Sequence, residues 1–312
     1  MTWTPRHRLL ALGVVAAVAL AAVVVVELIR PDGRPSAPPG SWTMVPHTGL
    51  GAWVDVYDWT TEFGGASPPV GPDDVEAMAD AGIQTVYLQT SRAGSAEDVI
   101  EPERLDALID RAHANDMHVV AWYLPTLVDV DRDLRRLVAA SDLMVDGIGV
   151  DIEATDVVDP VERSQRVLDL STRLRAELGD DKVMAAVTLT AVHLQVVNVD
   201  YWPGFPWTGI GATYDVIVPM TYWTLRQGEL QDGARYVGEN IDRIRASVGR
   251  DDIPIHPVGG IADEATIADI DGMLGAIEDR GAIGGSLYDW NTSTPEQWAA
   301  LQPLRELRRA AR

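Results

Sequence analysis

Residues 146–154 read DGIGVDIEA, and this stretch is the plainest sequence evidence for the fold. Its apolar and β-branched residues predict a buried strand over Gly147–Ala154. An amphipathic helical pattern follows over Asp159–Leu178 and ends at Gly179, a residue that favours helix termination. A strand followed by a helix is the unit from which α/β folds with a parallel sheet are built.

The same unit recurs on both sides of this stretch until eight strands are reached. The predicted strands are Gly49–Trp59, Gln84–Thr90, His118–Pro125, Gly147–Ala154, Val183–Thr190, Tyr214–Trp223, Pro254–Ile261 and Gly284–Asn291. The helical patterns are Asp73–Ala81, Glu103–Ala114, Asp159–Leu178, Gly233–Val248, Thr266–Asp279 and Pro295–Leu307. Eight units within residues 47–312 predict an α/β fold of the (β/α)8 TIM-barrel type, which typically has about 250 residues.

A doubly wound open sheet is the competing fold. Such a sheet usually carries a glycine-rich turn after its first strand, and Trp53–Trp59 offers none. The fifth unit is the weakest, because residues 191–213 are interpreted as a long loop with little helix. Trp202 and Trp207 in that loop fit two interpretations: they extend a ligand cleft, or they pack the loop onto the barrel.

The N-terminal residues differ from the rest of the chain. Leu9–Ile29 is an apolar run that would span about 31 Å as a helix, so residues 1–30 are predicted to form a transmembrane signal anchor. Arg6 and Arg8 precede this run and favour a cytoplasmic N-terminus. A cleaved signal peptide, with a secreted product, is the alternative. Residues 31–46 are rich in proline and predict an extended linker, and either interpretation places the barrel outside the cytoplasm.

Charge and composition exclude several classes of protein. The chain has 25 basic and 47 acidic residues and a formal charge of −22, which would repel nucleic acid. The absence of cysteine excludes disulfides, thiolate metal sites and a cysteine nucleophile. The acidic run Asp129–Asp133 departs from a calcium loop and is typical of a helix N-terminus. The histidines lack ligand spacing, so neither a metal nor a cofactor is predicted.

A barrel of this type places its functional residues at the carboxyl ends of the strands. Polar and aromatic side chains collect at these ends in the sequence. Carboxylates and flat aromatic rings together suit a sugar, whose hydroxyls need acceptors and whose C–H faces need apolar surfaces. The residues predicted to bind a glycan on this basis are Tyr57, Asp58, Trp59, Gln89, Trp122, Trp223, Asp289 and Trp290.

Asp151 and Glu153 are the leading catalytic candidates. They are two residues apart on a predicted strand, so their side chains point to the same face. A neighbouring carboxylate raises the affinity of Glu153 for its proton and makes it a general acid near neutral pH. The alternative is that the two residues cap the following helix or form salt bridges with loop arginines.

Residues 146–153 also resemble the fourth-strand signature of family 18 glycoside hydrolases, the chitinase-like barrels, which is written D-G-x-D-x-D-x-E. Three of its four acidic positions match. Residues 219–222, PMTY, resemble that family's sixth-strand M-x-Y segment, and Trp290 resembles its eighth-strand tryptophan. The chain is therefore similar to a divergent member of this superfamily.

The resemblance implies a role for each matched residue. Glu153 would be the acid/base, and Asp151 would orient the acetamido group of the substrate. Tyr222 would hydrogen-bond the carbonyl oxygen of that group, and Trp290 would form the floor of the sugar site.

Two positions depart from the family pattern. Gly149 stands at the middle aspartate, and Trp223 stands where an aspartate often follows the tyrosine. The partner that would share a proton with Asp151 is therefore missing. Both departures concern acidic positions of the family's substrate-assisted mechanism, in which the acetamido group of the substrate acts as the nucleophile.

The predicted sixth and seventh strands supply no second carboxylate, although an ordinary two-carboxylate glycosidase needs one roughly 5–9.5 Å from the first. Asp58 and Asp289 remain as candidate partners of Glu153, and otherwise the acetamido group of the substrate replaces the nucleophile. The predicted function is hydrolysis of N-acetylated amino-sugar glycans, such as cell-wall or chitin-like polymers, with Glu153 as acid/base. The alternatives are a non-catalytic carbohydrate-binding barrel, a muramidase-like two-carboxylate hydrolase and a structural cell-envelope scaffold.

Overall fold

Eight strands alternate with helices along the chain in a computed structural model, which describes residues 43–311. The strands are β1 Gly49–Val54, β2 Thr85–Gln89, β3 His118–Tyr123, β4 Gly147–Ile152, β5 Met184–Thr188, β6 Val216–Pro219, β7 Val258–Ile261 and β8 Gly284–Tyr288. Each lies within a segment predicted from the sequence. The predicted segments extend up to five residues beyond the carboxyl end of the strand, as at β1.

The helices of the described chain fill the intervals between the strands. They are α1 Val56–Trp59, α2 Thr61–Gly64, α3 Pro72–Asp80, α4 Pro102–Ala114, α5 Val130–Ser141, α6 Pro160–Leu178, α7 Trp207–Thr213, α8 Gly233–Val248, α9 Ile267–Arg280, α10 Pro295–Ala300 and α11 Arg305–Ala311. The predicted last helix is divided in two by a 3-10 turn at Gln302–Leu304, which contains a proline.

All eight strands are parallel and lie in the order β6-β5-β4-β3-β2-β1-β8-β7. Two isolated parallel bridges, Ile217 to Ile255 and Met220 to Val258, join β6 to the segment that contains β7. The sheet is thus a nearly closed barrel with helices around it. The predicted (β/α)8 barrel is confirmed, and the open doubly wound sheet is excluded.

Side-chain caps account for the start of several helices. Asp129 accepts a hydrogen bond from the backbone N–H of Arg132 at the start of α5, so the acidic run there begins a helix, as predicted. Asp159 caps α6 in the same way through the N–H of Val161. Thr294 caps α10, where Gln297 completes a capping box.

Aromatic side chains fill the interior of the barrel below its mouth. Trp53 on β1 stacks on Tyr87 of β2 with ring centroids 4.4 Å apart. Trp122 on β3 meets Trp53 edge to face at 5.6 Å. Valines of β5, β6 and β7 complete this cluster. These rings fill the centre of the barrel below the carboxyl ends of the strands.

The fifth unit is more ordered than the sequence predicted. It contains a π-helical turn at His193–Val197 and the helix α7. Trp202 and Trp207 are buried, and Phe205 packs against both, with ring centroids 5.1 and 4.5 Å away. The interpretation in which these tryptophans pack the loop onto the barrel therefore holds.

The barrel begins slightly before the predicted boundary at residue 47. Val45–His47 forms a 3-10 turn in which Pro46 and His47 are buried, so the last part of the predicted linker belongs to the folded domain. The predicted anchor Leu9–Ile29 lies outside the described residues. Within residues 43–311 no helix is long and apolar enough to cross a membrane.

Candidate active site

A cavity of about 390 Å³ opens at the carboxyl ends of the strands. Its walls come from β1, β2, β3, β4, β6 and β8 and from the loops that follow them. Six residues predicted from the sequence line it: Tyr57, Gln89, Trp122, Asp151, Glu153 and Tyr222. Ten other residues complete the lining, among them Asp55, Arg92, Asp156, Met220 and Tyr288.

Asp151 and Glu153 face this cavity from β4 and the residue that follows it. Asp151 is 6% exposed, and its Oδ1 has no hydrogen-bond partner among the described residues. Burial raises the pKa of Asp151 well above its usual value, and the charge of Glu153 raises it further. Burial also raises the pKa of Glu153. The pair therefore retains a proton at a pH where isolated carboxyl groups are ionised.

The alternative role predicted for Asp151 and Glu153 is to cap the following helix or to form salt bridges. The structure shows neither interaction among the described residues. The N-terminus of α6 is capped by Asp159. Among the described residues, no arginine, lysine or histidine forms an ion pair with Asp151 or Glu153. Tyr201 donates its hydroxyl to the backbone carbonyl of Glu153 at 3.0 Å, which holds the end of β4 in place.

Tyr222 lies at the end of the β6 segment and lines the same cavity. Burial raises the pKa of its hydroxyl well above the usual value, and the charges of Asp151 and Glu153 add to this shift. Tyr222 therefore remains a hydrogen-bond donor throughout the ordinary pH range. A donor beside two carboxyl groups can hold a carbonyl oxygen of a ligand.

The backbone at Gly149 packs against side chains of β3 and β5. A Cβ at this position would lie 3.3 Å from Cβ of Trp122 and 3.5 Å from Cγ2 of Val187. The Trp122 indole donates to the backbone carbonyl of Tyr87 at 3.3 Å. A side chain at residue 149 would therefore require Trp122 to shift by a few tenths of an ångström.

Asp55 and Tyr288 form a second polar wall that the sequence did not single out as a site. Tyr288 donates its hydroxyl to Oδ2 of Asp55 at 2.5 Å. Oδ1 of Asp55 accepts from the backbone N–H of Tyr57 at 2.8 Å. Gln89 accepts from the N–H of Val56 at 3.0 Å and fixes the same turn. This wall brings a further acidic side chain to the cavity, which Asp151, Glu153 and Asp156 also line.

Asp58 and Asp289 are absent from the cavity lining and lie beside it. One carboxylate oxygen from each of Asp55, Asp58 and Asp289 lies within 4.8 Å of the other two. Burial and the charges of Asp55 and Asp289 raise the pKa of Asp58 to about 7. Burial also raises the pKa of Asp289. We call these three residues, Asp55, Asp58 and Asp289, the acidic triad.

Two predicted stacking residues are inside the protein, and the prediction for them is corrected. Trp59 is fully buried and donates its indole N–H to the carbonyl of Gln89 at 3.1 Å. Trp223 is 1% exposed and packs on β7, where a Cβ at Gly260 would lie 2.9 Å from its ring. Neither ring offers a face to a ligand.

Trp290 also lies outside the cavity lining, so the floor role implied for it is not supported by its position. It follows β8 and stacks on Trp298, with ring centroids 5.5 Å apart. Tyr288, two residues earlier, lines the cavity in its place, and its ring lies 6.0 Å from that of Tyr222.

The rim of the cavity carries an exposed aromatic pair. The Tyr57 side chain is 59% exposed, and its ring lies 4.6 Å from that of Phe63. Arg92 stands 5.0 Å above the Phe63 ring and pairs with Glu62. Because Tyr57 and Arg92 also line the cavity, this cluster continues the wall outward to solvent.

Together the fold and cavity define a TIM barrel with a carboxylate pair, a protonated tyrosine and aromatic walls at its carboxyl face. No protein-family model matches the sequence, and no curated protein matches it. Solved structures do match the fold. The C-terminal domain of a putative chitinase from Desulfitobacterium hafniense DCB-2 has a TM-score of 0.61 and 13% identity, covering 85% of this chain and 99% of that one.

Two further structures extend this similarity. The spore cortex-lytic enzyme SleL of Bacillus megaterium QM B1551 has a TM-score of 0.59 and 11% identity, covering 86% of this chain and 76% of that one. A family GH18 chitinase from Cycas revoluta, solved with allosamidin, has a TM-score of 0.59 and 8% identity, covering 82% and 98%. The fold is therefore that of the chitinase-like barrels, as the resemblance implied.

Proposed function

We propose that this protein is a glycoside hydrolase that acts on glycans containing N-acetylated amino sugars. The observation that carries the proposal is the buried pair Asp151 and Glu153, which retains a proton and faces a cavity lined by Tyr222, Trp122 and Tyr288. The chitinase and cortex-lytic folds among the structural neighbours support the same class of substrate.

In the proposed reaction Glu153 donates its proton to the glycosidic oxygen as the bond to the anomeric carbon breaks. The acetamido carbonyl oxygen of the substrate attacks that carbon and forms a cyclic intermediate. Glu153, now ionised, then removes a proton from water, which opens the ring. Substrate participation is consistent with a cavity in which β6 and β7 supply no carboxylate.

Asp151 and Tyr222 act on the acetamido group in this proposal. Asp151 accepts a hydrogen bond from the acetamido N–H and orients the carbonyl oxygen for attack. The Tyr222 hydroxyl, which stays protonated, donates to that carbonyl oxygen. Gly149 leaves Asp151 without a second acid beneath it, so Glu153 is the acid that shares its proton.

A carbohydrate-binding barrel without turnover is the second candidate. The observation that favours it is Gly149 itself, which packs against Trp122 and Val187 and gives Asp151 no acidic neighbour at this position. A two-carboxylate hydrolase is the third, and Asp55 is the acid that favours it, because Asp55 lines the cavity and Asp58 and Asp289 do not.

We also propose that the barrel works outside the cytoplasm. This rests on the apolar run Leu9–Ile29 and the proline-rich residues after it. Amino-sugar polymers of cell walls lie in that compartment, which is consistent with the proposed substrate. Labelling of intact cells with a membrane-impermeant reagent would test it, and a barrel labelled only after lysis would contradict it.

The substrate class is tested by reducing-end release from matched oligosaccharides. The full chain, purified in non-ionic detergent, is incubated with N-acetylated amino-sugar oligomers, with the same oligomers after de-N-acetylation and with peptidoglycan. The proposal predicts release from acetylated substrates alone. Equal release from de-N-acetylated oligomers would contradict acetamido participation and favour the two-carboxylate mechanism. Binding of acetylated oligomers without release would favour the binding barrel.

A further inference from the structure

The acidic triad joins the carboxyl ends of two neighbouring strands. Asp55 follows β1, Asp58 lies in α1 and Asp289 follows β8. One carboxylate oxygen from each lies within 4.8 Å of the other two. Asp58 is 6% and Asp289 is 8% exposed, so the charges are held away from solvent.

The hydrogen bonds to the triad come from neutral donors. Tyr288 donates to Asp55, Asn291 donates to Oδ1 of Asp58 at 3.0 Å, and Thr292 donates twice to Oδ1 of Asp289. Among the described residues, no arginine, lysine or histidine forms an ion pair with any of the three. Three buried carboxylates therefore share one small volume without a counter-charge from the described chain.

A second observation concerns the other oxygen of Asp58. Its Oδ2 is buried, and no donor in the described part of the chain reaches it. A buried carboxylate oxygen without a donor is costly unless it is neutralised or ligates a cation. The arrangement thus combines an unmatched negative charge with an oxygen that still lacks a partner.

We propose that the acidic triad binds a divalent cation, with calcium as the ion that fits. Three oxygens within 4.8 Å of one another are close enough to ligate one cation. Mg²⁺ demands near-ideal octahedral geometry, whereas Ca²⁺ tolerates a flexible coordination sphere. Calcium also accepts carboxylate and water oxygens in irregular numbers, as a three-residue site requires.

The bound cation would link the loop after β1 to the loop after β8. These segments meet through the parallel pairing of their strands, and Asp55 also lines the cavity. The ion would therefore neutralise the charge next to the cavity and hold Asp55 in place. This role does not depend on the hydrolytic activity, because Asp58 and Asp289 are not part of the cavity lining.

The test is direct binding by calorimetry with the full chain in non-ionic detergent, freed of metal by a chelator. CaCl2 and MgCl2 are titrated into the wild type, Asp58→Asn, Asp289→Asn and the control Asp271→Asn, an exposed aspartate of α9. We expect one saturable Ca²⁺ site in the wild type and in the control, with Mg²⁺ at least tenfold weaker. Both triad variants should lose at least tenfold in Ca²⁺ affinity.

Three results would overturn the proposal: no saturable Ca²⁺ binding to the wild type, undiminished binding to both triad variants, or Mg²⁺ bound as tightly as Ca²⁺. Folding of each variant is checked by its thermal unfolding in chelator. The same assay gives a second readout, because Ca²⁺ should raise the Tm of the wild type and of Asp271→Asn and leave the triad variants unchanged.

Discussion

The proton held between Asp151 and Glu153 is the feature of single residues on which the proposed chemistry depends. Both side chains face one cavity because alternate residues of a strand point the same way. Asp151 is the more deeply buried of the two, and it lacks a hydrogen-bond partner at Oδ1. Burial and mutual repulsion therefore oppose full ionisation of the pair.

Asp151→Asn should move the alkaline limb of the pH profile to lower pH. The acid must be protonated to act, so activity falls as pH rises through the raised pKa of the pair. The repulsion that raises the pKa of Asp151 acts on both members of the pair, so Asp151→Asn removes it, and Glu153 then loses its proton at lower pH. The residual kcat/KM is measured from about pH 4 to 9.

Asp156→Asn is the matched control for this profile, because Asp156 is another aspartate of the same cavity. The control should retain the wild-type limb. A limb that stays in place in Asp151→Asn, or that moves equally in both variants, would contradict coupling between Asp151 and Glu153.

The sequence located Asp151, Glu153 and Tyr222 because each stands at the end of a strand in a recognisable pattern. Asp55 was not selected, since its significance comes from its contact with Tyr288, which is 233 residues away in the chain. Only closure of the barrel between β1 and β8 brings these two side chains together. Local spacing carries no information about such a contact.

At the scale of elements, the ends of the strands explain why Trp59 and Trp223 are buried and not at the ligand cavity, where the sequence predicted them. β1 ends at Val54, and Asp55 then caps α1 by accepting from the N–H of Tyr57. The helical turn sends Trp59 into the core and leaves Tyr57 exposed, whereas a strand extended to Trp59 would point both the same way. A 3-10 turn that begins at Trp223 has the same effect after β6.

The packing of Trp223 on β7 requires glycine, and Gly259→Ala should destabilise the barrel. A Cβ at Gly259 would lie 2.8 Å from Leu287, 2.8 Å from Met273 and 2.9 Å from the Trp223 ring. Such overpacking typically costs about 1–3 kcal/mol. The free energy of unfolding is measured by denaturant titration.

Gly275→Ala in α9 is the matched control, because nothing lies within 4 Å of its Cβ position. This variant should gain about 0.5–1 kcal/mol from the higher helix propensity of alanine. A Gly259→Ala protein as stable as the wild type would show that Trp223 can shift at no cost, contrary to the packing described.

At the scale of the whole molecule, a chain of buried polar groups runs through the barrel beneath the cavity. The indole of Trp53 donates to Ser286 at 2.9 Å, and Ser286 lies 3.1 Å from Nε2 of His256. Nδ1 of His256 donates to the carbonyl of His47 at 2.8 Å. Burial lowers the pKa of His256 to about 4 and that of His47 to about 3, so both imidazoles are neutral in the folded protein.

Each of these two histidines should therefore destabilise the folded protein as pH falls below about 6.5, the pKa of an unfolded histidine, whereas the raised pKa of Asp58 acts in the opposite direction. Below that value the unfolded chain binds protons that buried His47 cannot bind until pH nears 3. Between pH 7 and 5 this costs about 2 kcal/mol for each such histidine. The change in unfolding free energy between pH 7 and pH 5 should therefore be about that much more favourable in His47→Leu than in the wild type, as measured by denaturant titration at both pH values. An equal change in variant and wild type would contradict the assignment.

The most direct test of the proposed function compares reducing-end release by the wild type and by Glu153→Gln on the same N-acetylated oligomer. The amide keeps the size of the side chain and removes the proton that the reaction needs. Glu177→Gln, an exposed glutamate of α6, is the matched control. We expect Glu153→Gln to lose about 10²–10⁴-fold in kcat and to retain binding, and the control to match the wild type. Release by Glu153→Gln at the wild-type rate would contradict the assignment of Glu153 as the acid.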